Sequence, residues 1–385
     1  MRVVIVSRVY APEVSAASAL LQSWATEFRD RGLDVTVLTV KPPRGLTVSD
    51  PPGVTVKRAR VLRDKQQYVR GYLSYLSFDL PLIWRLLRVR RVDLYVVEPP
   101  PTTVAVVRAI AWLRRVPFVV DAADLWSDAA AMATSNRAVL RALLIVERWG
   151  LQGSRHLFAA HQPLIDRFRE VGISTPATAI GFGADTEAFR FAHATEAPPH
   201  FVYAGTHSEW HGAGIFVDAF AEIAARQPLA RLTFIGNGKE RDKLKAMAAA
   251  CGLLDRIEFR APIAPADLAP VLARATASLA SLQPGHGYDY AFTTKIYSSL
   301  AVGCPVVFAG VGPTSGFIRD AENPDAGVAV PYDAASVARA LETMLNEPLS
   351  LDRRAALSAW THAKYSLAAI ATKVVETSLT IMEDR

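Results

Sequence analysis

At 385 residues the chain is too long for one compact core and suits two α/β domains of ordinary size, with 51% hydrophobic residues to fill two buried sheets. No uninterrupted apolar run is long enough to span a bilayer, and Met1 to Val6 reads as a strand rather than a signal peptide, so a cytoplasmic protein is expected. The net charge of +6 and a pI near 9.3 call for an anionic partner without choosing among nucleotide, phospholipid and nucleic acid.

The apolar run Val3 to Val6, the polar turn Ser7 to Ser18 and a helix with Leu20, Leu21, Trp24 and Phe28 on one side open a doubly wound α/β domain. Ligands of such folds lie beyond the carboxyl ends of the strands, which aims the loop Tyr10 to Ser18 at a ligand cleft. Val35 to Val40 is a second strand, and Val54 to Lys57 an edge strand. Tyr68 to Arg91 sets aromatic and aliphatic residues beside Arg85, Arg88, Arg90 and Arg91. It reads either as the footprint of an anionic membrane surface or as two helices divided near Pro81 and packed on the sheet. Asp93 to Val97 and Pro117 to Val120 are further strands around a helix from Thr102 to Leu113. The loop Asp121 to Asp128 then brings Asp121, Asp124 and Trp126 to the cleft side. Asp124 there either orients a substrate hydroxyl or caps a helix. Leu140 to Leu151, with Glu147, is a helix, Arg155 to Ala159 a strand, and Ala192 to His200 an exposed linker.

Phe201 to Ala204 opens a second α/β domain, followed by the small-residue turn Gly205 to Gly214 and a helix with Phe216, Phe220 and Ile223 on one face. Backbone N–H groups converge in such a turn and glycines let a diphosphate approach, so Gly205, Thr206, His207 and Gly212 are candidate phosphate contacts. His207 and His211 supply cationic charge there if protonated, and otherwise only hydrogen bonds. Leu232 to Ile235 with Gly236, Asn237 and Gly238 repeats the strand–turn–helix unit. Cys251 and Cys304 have no metal-spaced partner and read as buried free thiols. In Gly285 to Gly310 a polar loop, a short helix capped by Thr293 or Thr294, a turn at Gly303 and the strand Val306 to Phe308 follow one another. Lys295 falls in that helix's first turn, either facing an anion or as an ordinary surface lysine.

The segment K-I-Y-x-x-L-A-x-G-x-P-V-V around Lys295 resembles the sugar-nucleotide segment of retaining glycosyltransferases of the GT-B group, family 4, in the branch that assembles bacterial surface polysaccharides. Tyr203 to Gly205, Phe234 to Glu240, Asp124 to Trp126 and Gly181 to Phe189 fall in the expected order, so the resemblance covers nearly the whole chain. It implies the GT-B fold, two Rossmann-like doubly wound domains facing a central cleft: an acceptor-binding domain over residues 1–190, a donor-binding domain over 191–365 and a C-terminal helix over 366–385 returning to the first domain.

The same resemblance implies a nucleotide-diphosphate sugar as donor, a lipid-linked or polysaccharide acceptor in cell-envelope glycan synthesis, a possible anionic membrane surface on the inner leaflet as partner, no nucleic acid, and no metal or other cofactor. Acceptor contacts would come from Ser15, Ala16, Ala17 and Trp126, the alanines standing where the family usually has a Gly pair. Donor contacts would come from the glycines of both turns, from Pro262 and Ile263 for the base, and from Tyr290, Thr294 and Ser298. Tyr290 and Ser298 occupy the places of two usual glutamates; Thr206 and His211 occupy those of an Arg and a Lys that clamp the diphosphate. Lys295 and His211 are then the candidates for stabilising the leaving group, with Asp124 orienting the acceptor. The same four losses suit a second reading, a catalytically silent relative acting as a binding or scaffolding partner in polysaccharide assembly.

Overall fold

The computed structural model describes residues 1–385 apart from 14, 44, 47, 65–68, 70, 135, 193–197, 286–288 and 385, and apart from the side chains of 72, 132 and 133. Parts of the linker expected over 192–200, of the loop over 283–292 and of the segment over 68–91 therefore lie outside the described residues. The chain forms two compact units, Met1–Phe182 with Leu367–Arg385, and Gly183–Ser366.

In the first unit β1 (Arg2–Val6), α1 (Ala16–Asp30), β2 (Asp34–Val40), β3 (Val54–Ala59), α2 (Tyr72–Arg88), β4 (Leu94–Val97), α3 (Pro101–Arg114), β5 (Phe118–Ala122), α4 (Trp126–Ala133), α5 (Arg137–Gln152), β6 (His156–Ala159), α6 (Gln162–Glu170) and β7 (Ala177–Ala179) follow in order. The strands form one parallel sheet, β3-β2-β1-β4-β5-β6-β7. The chain winds outward from β1 to β3 and then, from β4, the other way, so the switch point lies between β1 and β4. Val3, Ile5, Val35 and Val37 bury against α1 on one face, while Val4, Val6, Tyr95 and Val97 bury against α2 and α3 on the other. That two-sided burial explains why these strands read as continuous apolar runs rather than alternating ones.

The second unit holds β8 (His200–Ala204), α7 (Gly214–Ala224), β9 (Arg231–Ile235), α8 (Arg241–Ala250), β10 (Ile257–Arg260), α9 (Pro265–Arg274), β11 (Ala277–Leu282), α10 (Lys295–Ala301), β12 (Val306–Gly310), α11 (Pro313–Arg319), β13 (Gly327–Val330), α12 (Ala334–Asn346) and α13 (Leu351–Tyr365). Its parallel sheet runs β10-β9-β8-β11-β12-β13, with the switch point between β8 and β11. The last helix, α14 (Leu367–Glu383), belongs to the first unit, where Ile370, Ala371, Val374 and Val375 share a core with Leu21, Trp24 and Phe28 of α1.

Several local expectations are corrected. The stretch around Pro81 is one helix, not two, because Phe78, Leu82 and Leu86 continue a single buried face across the proline and their packing outweighs one lost backbone hydrogen bond. Ser15 caps α1 through its Oγ, 3.1 Å from Ser18 N, which draws Ala16 and Ala17 out of the loop and into the first turn. Trp126 likewise begins a helix rather than lying in a loop. Cys304 is buried, but Cys251, just past α8, is exposed. No helix among the described residues is long and apolar enough to cross a membrane.

Trp24 is fully buried, its ring centroid 5.6 Å from that of Phe158, and it joins α1, α14 and the sheet in one core. Trp24→Ala is expected to destabilise the protein by about 3–5 kcal/mol, the range for emptying such a site, in denaturant unfolding followed by circular dichroism. A loss under about 1 kcal/mol would mean that this core does not hold α14.

Candidate active site

In the second unit, the turns that leave β8 and β9 touch through their backbones. Gly236 has φ +148°, and a Cβ there would run into Gly205 O, so no side chain fits between the turns. The next residues fasten the contact: His207 N–H donates to Asn237 O at 2.9 Å, and Glu240 N–H to His207 O at 3.1 Å. A Cβ on Gly238 would also collide with His207 O. Gly205, His207, Gly236 and Gly238 thus come together at the carboxyl edge of the sheet, beside the switch point where α/β folds bind ligands.

Lys295 reaches this edge from the start of α10. Its Nζ donates to Tyr203 Oη at 2.9 Å and lies 4.0 Å from the centroid of that ring, and Tyr203 Oη passes its own hydrogen bond to Thr206 O at 3.1 Å. A Cβ on Gly205 would stand 2.9 Å from the Lys295 Nζ and Cε, so the glycine leaves room for the ammonium. The two expected threonine caps are not made. Thr294 stands at the N-cap, exposed and without a side-chain bond, and Thr293 is buried with its N–H donated to Thr314 Oγ1 at 2.8 Å.

The ammonium has no carboxylate partner among the described residues. Burial lowers its pKa to about 7. Burial first, then Lys295 and Arg241, lower His207 to about 4; burial, then Lys295 and His207, lower His211 to about 3. Both imidazoles are therefore neutral in the free protein at neutral pH, and the charge expected of them resides on Lys295. His207 is fully buried among aromatic rings, with centroids 5.8 Å from Tyr203 and 6.0 Å from Phe234, and neither ring nitrogen has a partner among the described residues. His211 Nδ1 lies 2.5 Å from Ser208 Oγ, and its carbonyl accepts from Ser281 Oγ at 2.6 Å. Gly212, in the left-handed region at φ +60°, packs under Tyr332, whose Oη donates to Gly212 O at 2.6 Å.

The other expected donor contacts are more scattered. Thr206 is exposed next to Gly205, Pro262 and Ile263 are exposed in the loop after β10, and Tyr290 and Ser298 are half-buried, before and on α10.

The first unit gathers carboxyl groups beside a guanidinium at its own switch point. Arg8 lies just past β1, Glu98 follows β4, and Asp121 is the last residue but one of β5. The Arg8 guanidinium is buried, 4.2 Å from the Tyr75 ring centroid and 5.7 Å from that of Trp126. Burial, reinforced by Glu98 and Asp124, pushes Asp121 up to about 8; burial also raises Glu98, against the pull of Arg8 and Ser7. Asp124 is exposed on the bend before α4, and surrounding protein raises it to about 6. It caps nothing. Glu147 from α5 makes that cap instead, accepting from Trp126 N at 2.7 Å and Ser127 N at 3.0 Å. Its clue in the sequence was a lone acid on the inner side of an otherwise basic and apolar helix. Arg8 and Glu98 were missed because single polar residues after apolar runs look like ordinary loop starts.

Residues 16–183 match the family described as Glycosyl transferase 4-like domain, and residues 198–347 the family described as Glycosyl transferases group 1. No curated protein matches the sequence significantly. Among solved structures, the chain is similar to sucrose-phosphate synthase from Thermosynechococcus elongatus, with 16% identity, TM-score 0.74 and full coverage of both chains. It is also similar to HepE of Anabaena in complex with UDP, with 16% identity and TM-score 0.72 over 99% of this chain and 100% of that one. WaaG, a glycosyltransferase involved in lipopolysaccharide biosynthesis, matches with 15% identity and TM-score 0.67 over 97% and 99%. At these identities the likeness shows the fold alone.

Lys295 is expected to titrate near pH 7 in the free protein, well below an ordinary lysine, when followed by nitrogen NMR or by pH-dependent acylation. A titration near 10 would mean that water reaches the ammonium freely. Gly236→Ala should cost about 1–3 kcal/mol in unfolding, since the collision is with backbone rather than with a yielding side chain.

Proposed function

Because the chain is a glycosyltransferase of the GT-B fold, made of a glycosyl transferase 4-like domain and a group 1 glycosyl transferase domain, we propose that it moves a sugar from a nucleoside-diphosphate donor to a lipid-linked or polysaccharide acceptor in envelope glycan synthesis, with retention of configuration. The observation that carries the donor half is the Lys295 ammonium, held at the switch point of the second unit beside Gly205 with no carboxylate partner among the described residues. A diphosphate offers the missing counter-charge. It also explains why the chain does without the Arg and Lys replaced by Thr206 and His211: one lysine from α10 takes over the task of two cations.

In the proposed reaction the bond between the sugar anomeric carbon and the diphosphate oxygen breaks, and the acceptor oxygen bonds to that carbon on the same face. The acceptor proton passes to the leaving diphosphate oxygen. Lys295 stabilises the charge that develops there, where a desolvated cation is worth more than in water. His207 and His211 act as neutral hydrogen-bonding groups, and the charge comes from the lysine rather than from a metal ion. Asp124, exposed in the first unit, orients the acceptor hydroxyl in this reading, with Trp126 at the start of α4 beside it.

A second reading, a silent relative that binds without transferring, is favoured by the replacement of the usual glutamates by Tyr290 and Ser298 and by the neutral imidazoles. Calorimetry with UDP, GDP and TDP, followed by donor turnover with whichever binds, separates the two. Binding with turnover supports transfer, and binding without it supports the silent relative.

Lys295→Ala is expected to weaken nucleoside diphosphate binding by about 1–3 kcal/mol, the range for one charge-assisted hydrogen bond. The diphosphate raises the pKa of Lys295 above its free value of about 7, so binding takes up a proton. Affinity is then complete below pH 7 and falls as pH rises through 7 toward the bound-state pKa. Lys295→Arg should flatten that fall. Parent affinity that stays constant between about pH 6 and 9 at fixed salt would remove Lys295 from the site.

A further inference from the structure

In the second unit the outer strand β10 alternates. Ile257 and Phe259 turn toward the core under α7 and α8, while Glu258 and Arg260 point to the other face of the sheet. The register continues that polar face inward: Glu258 lies opposite Thr233 of β9, and Arg231 opposite His200 of β8. Helices ordinarily cover both faces of a parallel sheet. Here α9 packs on β8 and α10, and beside it a cavity of about 670 Å³ stays open over the first residues of β8, β9 and β10.

The floor of this cavity is polar and fixed. Thr233 is only 2% exposed, and its Oγ1 lies 2.8 Å from His200 Nε2. The His200 backbone N–H donates to Thr276 Oγ1 at 3.0 Å, which holds the start of β8 in place. Burial first, and then Arg260, lower the pKa of His200 against the pull of Glu258, so the ring is neutral at neutral pH. Its Nδ1 has no partner among the described residues. Arg260 grips Glu258 side by side, Nε to Oε1 at 2.8 Å and Nη2 to Oε2 at 2.7 Å, and each carboxylate oxygen keeps a lone pair for a hydroxyl group. Pro270 and Val271 of α9 and Leu254 before β10 supply apolar walls.

Four arginines and two acids line the cavity. Arg260 is paired with Glu258, and Arg256 donates to the carbonyls of Ala224, Gln227 and Ala230 at the end of α7. Arg231 donates to a backbone carbonyl, that of Asp255, and the Arg274 side chain has no hydrogen-bond or ion-pair partner among the described residues. Both face water, and they outnumber the one remaining acid, Asp255. Guanidinium groups match phosphate oxygens in pairs, whereas a neutral imidazole, a hydroxyl and a carboxylate match the hydroxyls of a polyol. No Phe, Tyr or Trp is among the described lining residues, so a nucleoside base would find no ring to stack on.

We propose that this cavity is a second ligand site, for a sugar phosphate, with the phosphate on Arg231 and Arg274 and the sugar hydroxyls on His200, Thr233 and Glu258. Its volume is in the range of small-molecule sites. It lies at the amino ends of β8, β9 and β10, while Gly205, Gly236 and Lys295 lie at the carboxyl edge, about 15 Å further along the strands. Both sites can therefore be filled at once, and the second stands whether or not the protein transfers a sugar.

The test is calorimetric titration of the full chain with glucose 6-phosphate, mannose 1-phosphate and ribose 5-phosphate, with inorganic phosphate and glucose as comparisons. At least one ester is expected to bind at one equivalent and about tenfold or more tighter than inorganic phosphate, the hydroxyl bonds making the difference. Glucose alone should show no binding over the same range. Arg231→Gln/Arg274→Gln should weaken the ester about tenfold or more and keep the parent's melting temperature, since both side chains face water. Thr233→Val should weaken the ester about fivefold and leave inorganic phosphate unaffected. Lys295→Ala should bind the ester like the parent. A parent that binds none of the three esters, or an Arg231→Gln/Arg274→Gln variant that binds like the parent, overturns the site. Loss of ester binding in Lys295→Ala puts the phosphate at the Gly205 turn and overturns it as well. Inorganic phosphate held as tightly as the ester, or Thr233→Val without effect, overturns the placing of the sugar on the floor.

Discussion

The contact between the Gly205 and Gly236 turns is the constraint on which the second unit depends. Where β8 and β11 diverge, the backbone comes close enough that a side chain on Gly236 has no place. The space left by Gly205 is taken by the end of Lys295, brought from a helix about ninety residues further along the chain. An ammonium that the protein surrounds, with no carboxylate partner among the described residues, loses hydration that one tyrosine hydroxyl replaces only in part, and its pKa falls. The neighbouring imidazoles lose their protons for the same two reasons, burial and proximity to that cation. Of Lys295, His207 and His211, only the lysine carries a charge that is adjustable near neutral pH.

The first unit repeats the topology with the opposite chemistry. At its switch point carboxyls stand beside the buried Arg8 guanidinium, and burial, reinforced by repulsion from Glu98 and Asp124, holds Asp121 in its protonated form at neutral pH. Glu147 satisfies the start of α4, which leaves Asp124 exposed and uncommitted to any helix end. Similar parallel sheets thus present, among the described residues, a cation without a carboxylate partner in one unit and a cluster of acids in the other. That difference in local charge, rather than the fold, is where an assignment of donor and acceptor roles has to rest.

The helices on one face of the first sheet show that packing and exposure are separate demands. α2 buries Phe78, Leu82 and Leu86 against the sheet and turns Leu73, Leu80 and Trp84 to water. Arg85, counted with the basic residues of this segment, is not on the outer face: its Nη2 donates to Thr39 O and Lys57 O, at 3.2 and 2.6 Å, tying the helix to β2 and β3.

Strands of a two-sided parallel sheet are continuous apolar runs, and for that reason the order of elements, the two α/β units and the edge position of β3 were legible residue by residue. The small-residue turns after β8 and β9 and the place of Lys295 in the first turn of α10 were legible for a related reason: glycine and the start of a helix leave local marks in the sequence. Helix starts were less so. Ser15 and Thr294 are both plausible caps, yet only Ser15 makes the bond, because a cap depends on backbone angles that neighbours impose. Contacts distant in sequence decided the rest. Which acid capped α4, whether Pro81 broke a helix, whether His207 and His211 carried charge, and which of two leucine stripes faced water all turned on burial and on partners dozens of residues away. A sequence states what a side chain is able to bond or bury, and only the folded chain sets the dielectric and the neighbours that determine what it does.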